Sequence, residues 1–145
     1  DMGVDYRKLR DLLAAQNYKE ADGETRHLMV SIIRVMERDY DSTQTFEQFP
    51  CTDLRTIDRL WVQYSEGRFG FSIQKPIYDE VGQSYEALGD RVGWRQEGEW
   101  LNYHELTFNG TAPSGHLPRV LWVKVFGYCG WEPSVLARKL ASCNF

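Results

Sequence analysis

The residue types that most often do chemistry, histidine and cysteine, are scattered along this chain of 145 residues. The histidines are His27, His104 and His116, and the cysteines are Cys51, Cys129 and Cys143. No two histidines lie four residues apart, and no pair of cysteines has the CxxC spacing of a zinc site. The cysteines are also odd in number. The sequence therefore predicts neither a metal site nor a disulfide framework, and it favours a reducing compartment.

Signals for catalysis are equally weak. Cys51 stands just before a predicted helix, whose dipole can lower the pKa of a thiol, but the same position suits a small residue that packs under the helix start. The GRFG segment at residues 67–70 is too short for a loop that cradles phosphate. No pair of residues is spaced as a positioned acid and base, so the sequence gives little support to an enzyme.

Residues 117–131 form the most unusual stretch of the chain. They are rich in aromatic and aliphatic side chains, with Arg119 and Lys124 as the only cations, and glycines interrupt them. As pure core this stretch would be a buried loop, which proteins mostly avoid because its amides need partners. Two interpretations stay open, namely core packing and an apolar ligand surface with cationic tips. Such a surface suits a flat hydrophobic anion, a partner protein or a lipid interface.

The charge pattern narrows the class of protein. The formal net charge is −4, which argues against nucleic acid as a partner. Residues 107–145 carry four cations and one anion, so a basic, aromatic tail follows an acidic body. The start of the chain has no cationic segment before an apolar one, so no signal peptide is expected. The longest apolar run is about 15 residues, short of the roughly 20 that a spanning helix needs.

The elements that must position these residues are helical. Apolar residues recur at steps of three and four in five stretches, which predicts α-helices there. The stretches are residues 6–16, 21–36, 51–65, 72–81 and 85–92. Thr52 is the expected N-cap of the third helix, residues 100–106 suit a turn or two, and a last helix opens near residues 131–134. The sequence predicts one all-α domain over residues 1–145, with six to eight short helices.

Several motifs occur in an order that is specific. They are LLAAQ at 12–16, EADGET at 20–25, FPCTDLRTIDRLW at 49–61, YSEGRFGFSIQ at 64–74, GDRVGWR at 89–95, ELTF at 105–108 and APSGHLP at 112–118. Together they resemble the core domain of the genomes-uncoupled-four family, the tetrapyrrole-binding regulators of magnesium chelatase in chlorophyll-making organisms. The resemblance covers nearly the whole chain.

The resemblance implies a helical domain shaped like a cupped hand, lined by two loops that match residues 39–50 and 109–131. It implies a non-catalytic protein that binds protoporphyrin IX or Mg-protoporphyrin IX, or in some members a bilin. The implied partner is the large porphyrin-binding subunit of magnesium chelatase, which such proteins stimulate. The implied location is the cytoplasm of a cyanobacterium or the plastid stroma, with possible peripheral contact to photosynthetic membranes.

The ligand-contacting residues expected on this basis fall into three groups. The pigment face comprises Trp100, Tyr103, Leu117, Trp122, Val123 and Phe126. Ile33 and Phe46 contribute from the other side, and Arg119 and Lys124 meet the propionates. His116 is either a metal ligand or a turn residue that forms hydrogen bonds, and the second is expected. The apolar residues of the 54–61 and 69–71 motifs are expected to be scaffold. The alternative function is a bilin-binding or pigment-free interaction module of the same fold.

Overall fold

The computed structural model describes residues 3–36, 47–119 and 133–145. Within these ranges the chain forms six α-helices, a two-stranded hairpin and a short 3₁₀ helix. The elements are α1 (Arg7–Ala14), α2 (Tyr18–Met36), α3 (Cys51–Tyr64), α4 (Phe71–Glu80), α5 (Tyr85–Val92), β1 (Arg95–Gln96), β2 (Glu99–Trp100), the 3₁₀ helix (Tyr103–Glu105) and α6 (Pro133–Ser142). The all-α prediction is confirmed. No helix within the described ranges combines the length and apolar character needed to cross a bilayer.

The first five helices follow the apolar periodicity closely, with ends that differ from the predicted ones by up to three residues. The N-cap prediction for α3 is wrong. The helix begins at Cys51, the first residue of the predicted range and two residues before the start that a Thr52 N-cap implies, and Pro50 is its extended N-cap without a side-chain hydrogen bond. The proline ring fixes the φ of Pro50, and its ψ is extended, so Pro50 itself is the last residue before the helix. Thr52 therefore lies inside the first turn and not before it.

The core is built around α3. Leu54, Ile57 and Trp61 are fully buried, and the indole Nε1 of Trp61 donates to Thr25 Oγ1 on α2 at 2.9 Å. Tyr18 stacks on the Trp61 ring with a centroid distance of 6.2 Å. The motif residues expected to be scaffold are therefore scaffold, because a helical stripe of this width must face other helices.

The turn from α3 to α4 depends on a glycine. Gly70 has a φ of 131°, and a Cβ there would lie 2.7 Å from Val62 and 2.8 Å from Asp58. The Asp58 carboxylate lies next to it and accepts from the backbone N of Ser72 at 2.8 Å, which satisfies an unpaired N–H of the first turn of α4. Burial raises the pKa of Asp58, against the effect of the hydrogen bonds from Ser72.

The hairpin and the disulfide were not predicted. β1 and β2 pair antiparallel through Arg95 with Trp100 and Gln96 with Glu99. Cys51 and Cys143 form a disulfide with Cα atoms 5.4 Å apart, within the range for such bridges. The expectation that cysteines stay unpaired is therefore corrected: residues 92 apart in sequence meet because α6 returns to the start of α3.

Candidate functional site

Residues 115–119, which we call the anchor segment, form a buried loop between the hairpin region and residues 120–132. All five residues are buried. Gln74 of α4, itself fully buried, donates from Nε2 to the Gly115 carbonyl at 3.1 Å and to the Pro118 carbonyl at 2.8 Å. One side chain thereby gives both of these buried carbonyls a hydrogen-bond donor.

Other groups complete the hydrogen bonding of the anchor segment. The backbone N of Gly70 donates to the Leu117 carbonyl at 3.0 Å, and Trp94 Nε1 donates to the His116 carbonyl at 2.8 Å. The objection to a buried loop, that its amides need partners, is met here by side chains from α4 and from the residues after α5. The described part of residues 117–131 is therefore core.

His116 uses both ring nitrogens within the protein. Its Nε2 accepts from the backbone N of Thr107 at 3.1 Å, so the proton is on Nδ1, which donates to the Val92 carbonyl at 2.7 Å. Burial lowers the pKa of His116, and the nearby Arg119 acts in the same direction. The expectation of a hydrogen-bonding turn residue is confirmed. No group of histidine, cysteine and acidic residues that could hold a metal ion occurs in the described ranges.

Arg119 lies inside an aromatic box. Its guanidinium carbon is 4.3 Å from the centroid of the Trp94 ring, 5.6 Å from that of Trp100 and 5.9 Å from that of Tyr85. Its NH1 donates to the Tyr85 hydroxyl at 2.9 Å. Arg119 is only 6% exposed, whereas an exposed cation was expected. Burial lowers the pKa of its guanidinium, although Tyr85 and then Asp22 act against this; cation–π contacts stabilise a desolvated charge.

Asp22 connects this box to a fourth aromatic residue, Tyr103. Its Oδ1 accepts from the backbone N of Arg119 at 2.9 Å. Its Oδ2 accepts from the Tyr103 hydroxyl at 2.6 Å. Asp22 is fully buried in α2, so one carboxylate connects α2, the 3₁₀ helix and the end of the anchor segment.

Two rings at this site reach the surface. Trp100 is 37% exposed and Tyr103 is 40% exposed; with Val35 on α2 they are the exposed large hydrophobic residues of the described ranges. The Tyr85 ring stacks on the Trp100 ring with a centroid distance of 4.5 Å. The guanidinium of Arg95 lies 5.1 Å from the Trp100 ring. The exposed Trp100 ring thus packs against an aromatic ring and a guanidinium group.

The structure brings together three of the ten expected ligand-contacting residues, Trp100, Tyr103 and Arg119, through ring contacts and the Asp22 carboxylate. Leu117 is fully buried beneath the surface, and Ile33 is buried in the core on α2, so the described conformation exposes neither of them. The remaining five lie outside the described residues: Phe46, Trp122, Val123, Lys124 and Phe126.

Sequence analysis missed three residues of this site, namely Asp22, Tyr85 and Trp94. For Asp22 a signal was available, because it lies between the buried Ala21 and Thr25 on the apolar side of α2. An acidic residue on a buried helix face needs a hydrogen-bond partner. Tyr85 and Trp94 gave no such signal, since aromatic residues in short helices are ordinary core.

A small cavity lies between α6 and Glu47, which belongs to the first of the two loops expected to line the cup, residues 39–50. It has a volume of about 220 Å³ and is lined by Glu47, Val135, Arg138, Lys139 and Ser142. Lys139 Nζ donates to the Glu47 carbonyl at 2.8 Å. Burial lowers the pKa of Lys139. This contact joins α6 to residues that follow the 37–46 stretch.

The chemistry that these groups offer is binding, since exposed rings on a fixed base suit flat apolar molecules. Comparison with known proteins identifies a family. A model of the GUN4-like family matches residues 1–128. The chain is 33% identical over 119 residues to a Ycf53-like protein of Synechocystis sp., covering 80% of this chain and 51% of that protein. It is 32% identical over 122 residues to a chloroplastic tetrapyrrole-binding protein of Arabidopsis thaliana, covering 76% and 46% respectively.

The fold is also similar to a solved structure. GUN4 from Chlamydomonas reinhardtii superimposes with a TM-score of 0.72 at 27% identity, covering 97% of this chain and 89% of that one. The chain spans about half the length of the curated relatives that it matches. The match therefore concerns only part of those proteins.

Proposed function

The chain belongs to the GUN4-like family, and we propose that it is a non-catalytic protein that binds a tetrapyrrole and regulates magnesium chelatase. Family membership confirms the resemblance seen in the motifs. The observation that carries the proposal is the pair of exposed rings, Trp100 and Tyr103, fixed beside Arg119. Arg119 directly precedes the aromatic stretch at residues 120–131. The relative from Arabidopsis is named for tetrapyrrole binding.

A porphyrin suits such a surface because it is a broad apolar plate with two propionates on one edge. Burying roughly 400 Å² of it at about 25 cal/mol/Å² gives a gross gain of ~10 kcal/mol. Lost motion and loop ordering remove several kcal/mol of this, which leaves a micromolar to nanomolar affinity. The proposed apolar contacts are Trp100, Tyr103, Phe46, Trp122, Val123 and Phe126.

The cations have different proposed roles. Lys124 contacts a propionate, which adds only about 0–1 kcal/mol if the pair is exposed. Arg119 is buried and occupied by Tyr85 and the rings, so its main contribution is to support the Trp100 ring from below. Leu117 and Ile33 act as scaffold beneath the ligand surface.

The finer identity of the ligand and partner is part of the same proposal. We infer protoporphyrin IX or Mg-protoporphyrin IX as ligand, with a bilin as the alternative. The inferred partner is the large porphyrin-binding subunit of magnesium chelatase. The inferred location is the cytoplasm of a cyanobacterium or the plastid stroma, with peripheral contact to photosynthetic membranes, in keeping with relatives from Synechocystis sp. and a chloroplast.

The test is a fluorescence titration of the chain with protoporphyrin IX, with biliverdin run in parallel. Saturable one-to-one quenching of tryptophan at micromolar or tighter concentration supports a tetrapyrrole site, and the ratio of affinities identifies the pigment class. Absence of saturable quenching by either pigment overturns the proposal and favours an interaction module that uses the same exposed rings to bind a partner helix.

Two further measurements test the apolar character of the site. Raising salt from about 0.05 to 0.5 M should weaken porphyrin binding only a few-fold, because salt screens exposed charges and leaves apolar burial intact. Trp122→Ala and Phe126→Ala should each weaken binding more than Lys124→Ala does. A tenfold or larger loss with salt, or the reverse order of variants, contradicts an apolar site.

Regulation of the chelatase needs its own assay. Addition of the protein to the chelatase subunits should increase the rate of magnesium insertion into porphyrin. A Trp100→Ala variant with weakened porphyrin binding should stimulate less at limiting porphyrin. If the protein binds porphyrin tightly and leaves the insertion rate unchanged, the regulatory part of the proposal is overturned while the binding part stands.

A further inference from the structure

We propose that Asp22 is a positioning residue for the ligand surface, which it organises by holding the Tyr103 ring and Arg119, the last residue of the anchor segment, with one carboxylate. This inference rests on the proposed tetrapyrrole binding and extends it. It assigns a role to a residue that is not itself a proposed ligand contact and that acts through Tyr103 and Arg119.

Asp22 forms one hydrogen bond to each of two chain segments, an arrangement that we call the brace. Oδ2 of Asp22 accepts from the Tyr103 hydroxyl at 2.6 Å, and Oδ1 accepts from the Arg119 backbone N at 2.9 Å. These partners are 81 and 97 residues away in sequence. Because each oxygen serves a different segment, movement of either segment breaks a bond to the same buried group.

The charge of Asp22 suits this position. The carboxyl group of Asp22 is fully buried. Burial lowers the pKa of the nearby Arg119 guanidinium, and Asp22, after Tyr85, acts against this lowering. Burial and then Asp22 raise the pKa of the Tyr103 phenol, so the hydroxyl keeps its proton and donates. Hydrogen bonds to a charged acceptor are stronger than neutral ones, which makes the brace stiff.

A rigid base matters for a ligand surface made of exposed rings. Tyr103 is 40% exposed, so neighbouring side chains hold only part of its ring. Its hydroxyl bond to Asp22 fixes the far end of the ring, and ring contact with Phe108, at a centroid distance of 5.2 Å, holds the side. Fixing the ring before binding lowers the ordering cost when the ligand arrives.

The chain contains a matched control for this bond. The Tyr6 hydroxyl donates to the buried Asp53 carboxylate and joins the start of α1 to α3. Burial followed by Asp53 raises the pKa of Tyr6, as burial and Asp22 raise that of Tyr103. The Tyr6 ring is not among the proposed ligand contacts. Tyr6→Phe and Tyr103→Phe therefore remove the same kind of bond, and only the second touches the brace.

The experiment compares Tyr103→Phe, Tyr6→Phe, Asp22→Leu and Asp22→Asn with the unsubstituted protein. Protoporphyrin IX affinity, thermal stability and hydrogen exchange of the Arg119 amide are measured for each. Asn keeps the shape and can accept from the Arg119 N–H while donating to the Tyr103 oxygen, so it is the conservative rescue. Leu fills the space without either bond.

We expect Tyr103→Phe to weaken porphyrin binding by about fivefold or more and Asp22→Leu by more still, at a coupling typical of linked sites. Tyr6→Phe should lose about as much stability as Tyr103→Phe does. Its affinity for protoporphyrin IX should stay within about twofold of that of the unsubstituted protein, since a hydrogen bond lost away from the site leaves the surface in place. Exchange at Arg119 should accelerate in Asp22→Leu and stay slow in Asp22→Asn and Tyr103→Phe.

The outcomes separate the two proposals. Equal affinities for Tyr103→Phe, Asp22→Leu and Tyr6→Phe overturn the positioning role while porphyrin binding stands. If the unsubstituted protein binds no porphyrin, the proposed function is overturned, and the brace is judged by exchange at Arg119 alone. Unchanged exchange in a folded Asp22→Leu protein then overturns the brace as well.

Discussion

A Cβ atom placed on Gly89 would lie 2.7 Å from Cζ3 of the Trp100 ring, so α5 meets an exposed aromatic residue through a glycine. Gly89→Ala should push the ring aside. Displacing a ring that is stacked on Tyr85 costs about 1–3 kcal/mol, whereas alanine favours the helix over glycine by about 1 kcal/mol, so the free energy of unfolding should fall by up to about 2 kcal/mol. Porphyrin affinity should fall several-fold, which a fluorescence titration measures, and the near-ultraviolet circular dichroism of tryptophan should change.

The control for this prediction is Gly23→Ala in α2, where a Cβ meets nothing within 4 Å. This variant should be more stable by about 0.5–1 kcal/mol, the usual gain of alanine over glycine in a helix, and should bind porphyrin normally. If Gly89→Ala binds porphyrin as tightly as Gly23→Ala does, the position of Trp100 does not matter for the ligand.

Gln74 should be essential for the anchor segment. Gln74→Leu keeps the volume but removes the donor to the carbonyls of Gly115 and Pro118, which are buried. Each orphaned carbonyl costs about 1–3 kcal/mol, so urea unfolding should show a loss of roughly 2–6 kcal/mol. Gln63→Leu on the exposed side of α3 should stay within about 0.5 kcal/mol. Equal stabilities of the two variants would mean that the anchor carbonyls find other donors.

His116 should make stability depend on pH. Its pKa in the folded protein lies below 6.5 because the ring is buried, whereas the unfolded chain takes up the proton near the ordinary value. Below about pH 6.5 the unfolded state therefore binds more protons, and the free energy of unfolding should fall as the pH drops, by up to about 1.4 kcal/mol per pH unit between the two pKa values.

The matched variant for this effect is His116→Gln. It should be less stable at pH 7.5, since it loses the bond to Val92 or to Thr107, yet it should lose less stability on acidification to pH 5. Chemical denaturation at several pH values measures both. Parallel curves for the two proteins would show that His116 does not contribute to the acid sensitivity.

The disulfide should contribute a large part of the stability. The bond joins residues 92 apart, and a loop of this length corresponds to about 4–5 kcal/mol in the chain-entropy model, with about 2–4 kcal/mol typical in practice. Treatment with a dithiol reductant, or Cys51→Ser, should lower the free energy of unfolding by this amount. Cys129→Ser should leave the effect of the reductant intact. A reductant effect that disappears in Cys129→Ser would assign the bridge to other cysteines.

The helices of this protein could be predicted from sequence because each carries its own apolar stripe. The stripe on α3, with Leu54, Ile57 and Trp61, is complete within four turns, so local spacing decides both helix and core. The hairpin could not be predicted in this way, since strands of two residues are too short to show alternation.

The site was harder to predict because its contacts are distant in sequence. From the sequence, Arg119 is expected to be a surface cation beside apolar residues. It is buried because the fold brings it against Trp94 and Tyr85, which are distant in sequence. The disulfide was not predicted for the same reason, since no local spacing relates Cys51 to Cys143. Trp100 and Tyr103 were predicted as surface aromatic residues through the family resemblance, and the structure leaves both partly exposed.

The bridge between Cys51 and Cys143 also divides the polypeptide into a covalent ring and a free arm. The ring contains α3 to α6, whereas α1 and α2 belong to the arm, which includes Asp22. A single peptide-bond cleavage within residues 120–132 leaves one molecule on a non-reducing denaturing gel, while a cleavage within residues 37–46 releases the arm. Reduction makes the two cleavages equivalent in number of fragments, so the gel pattern alone reports both the bridge and the site of cleavage.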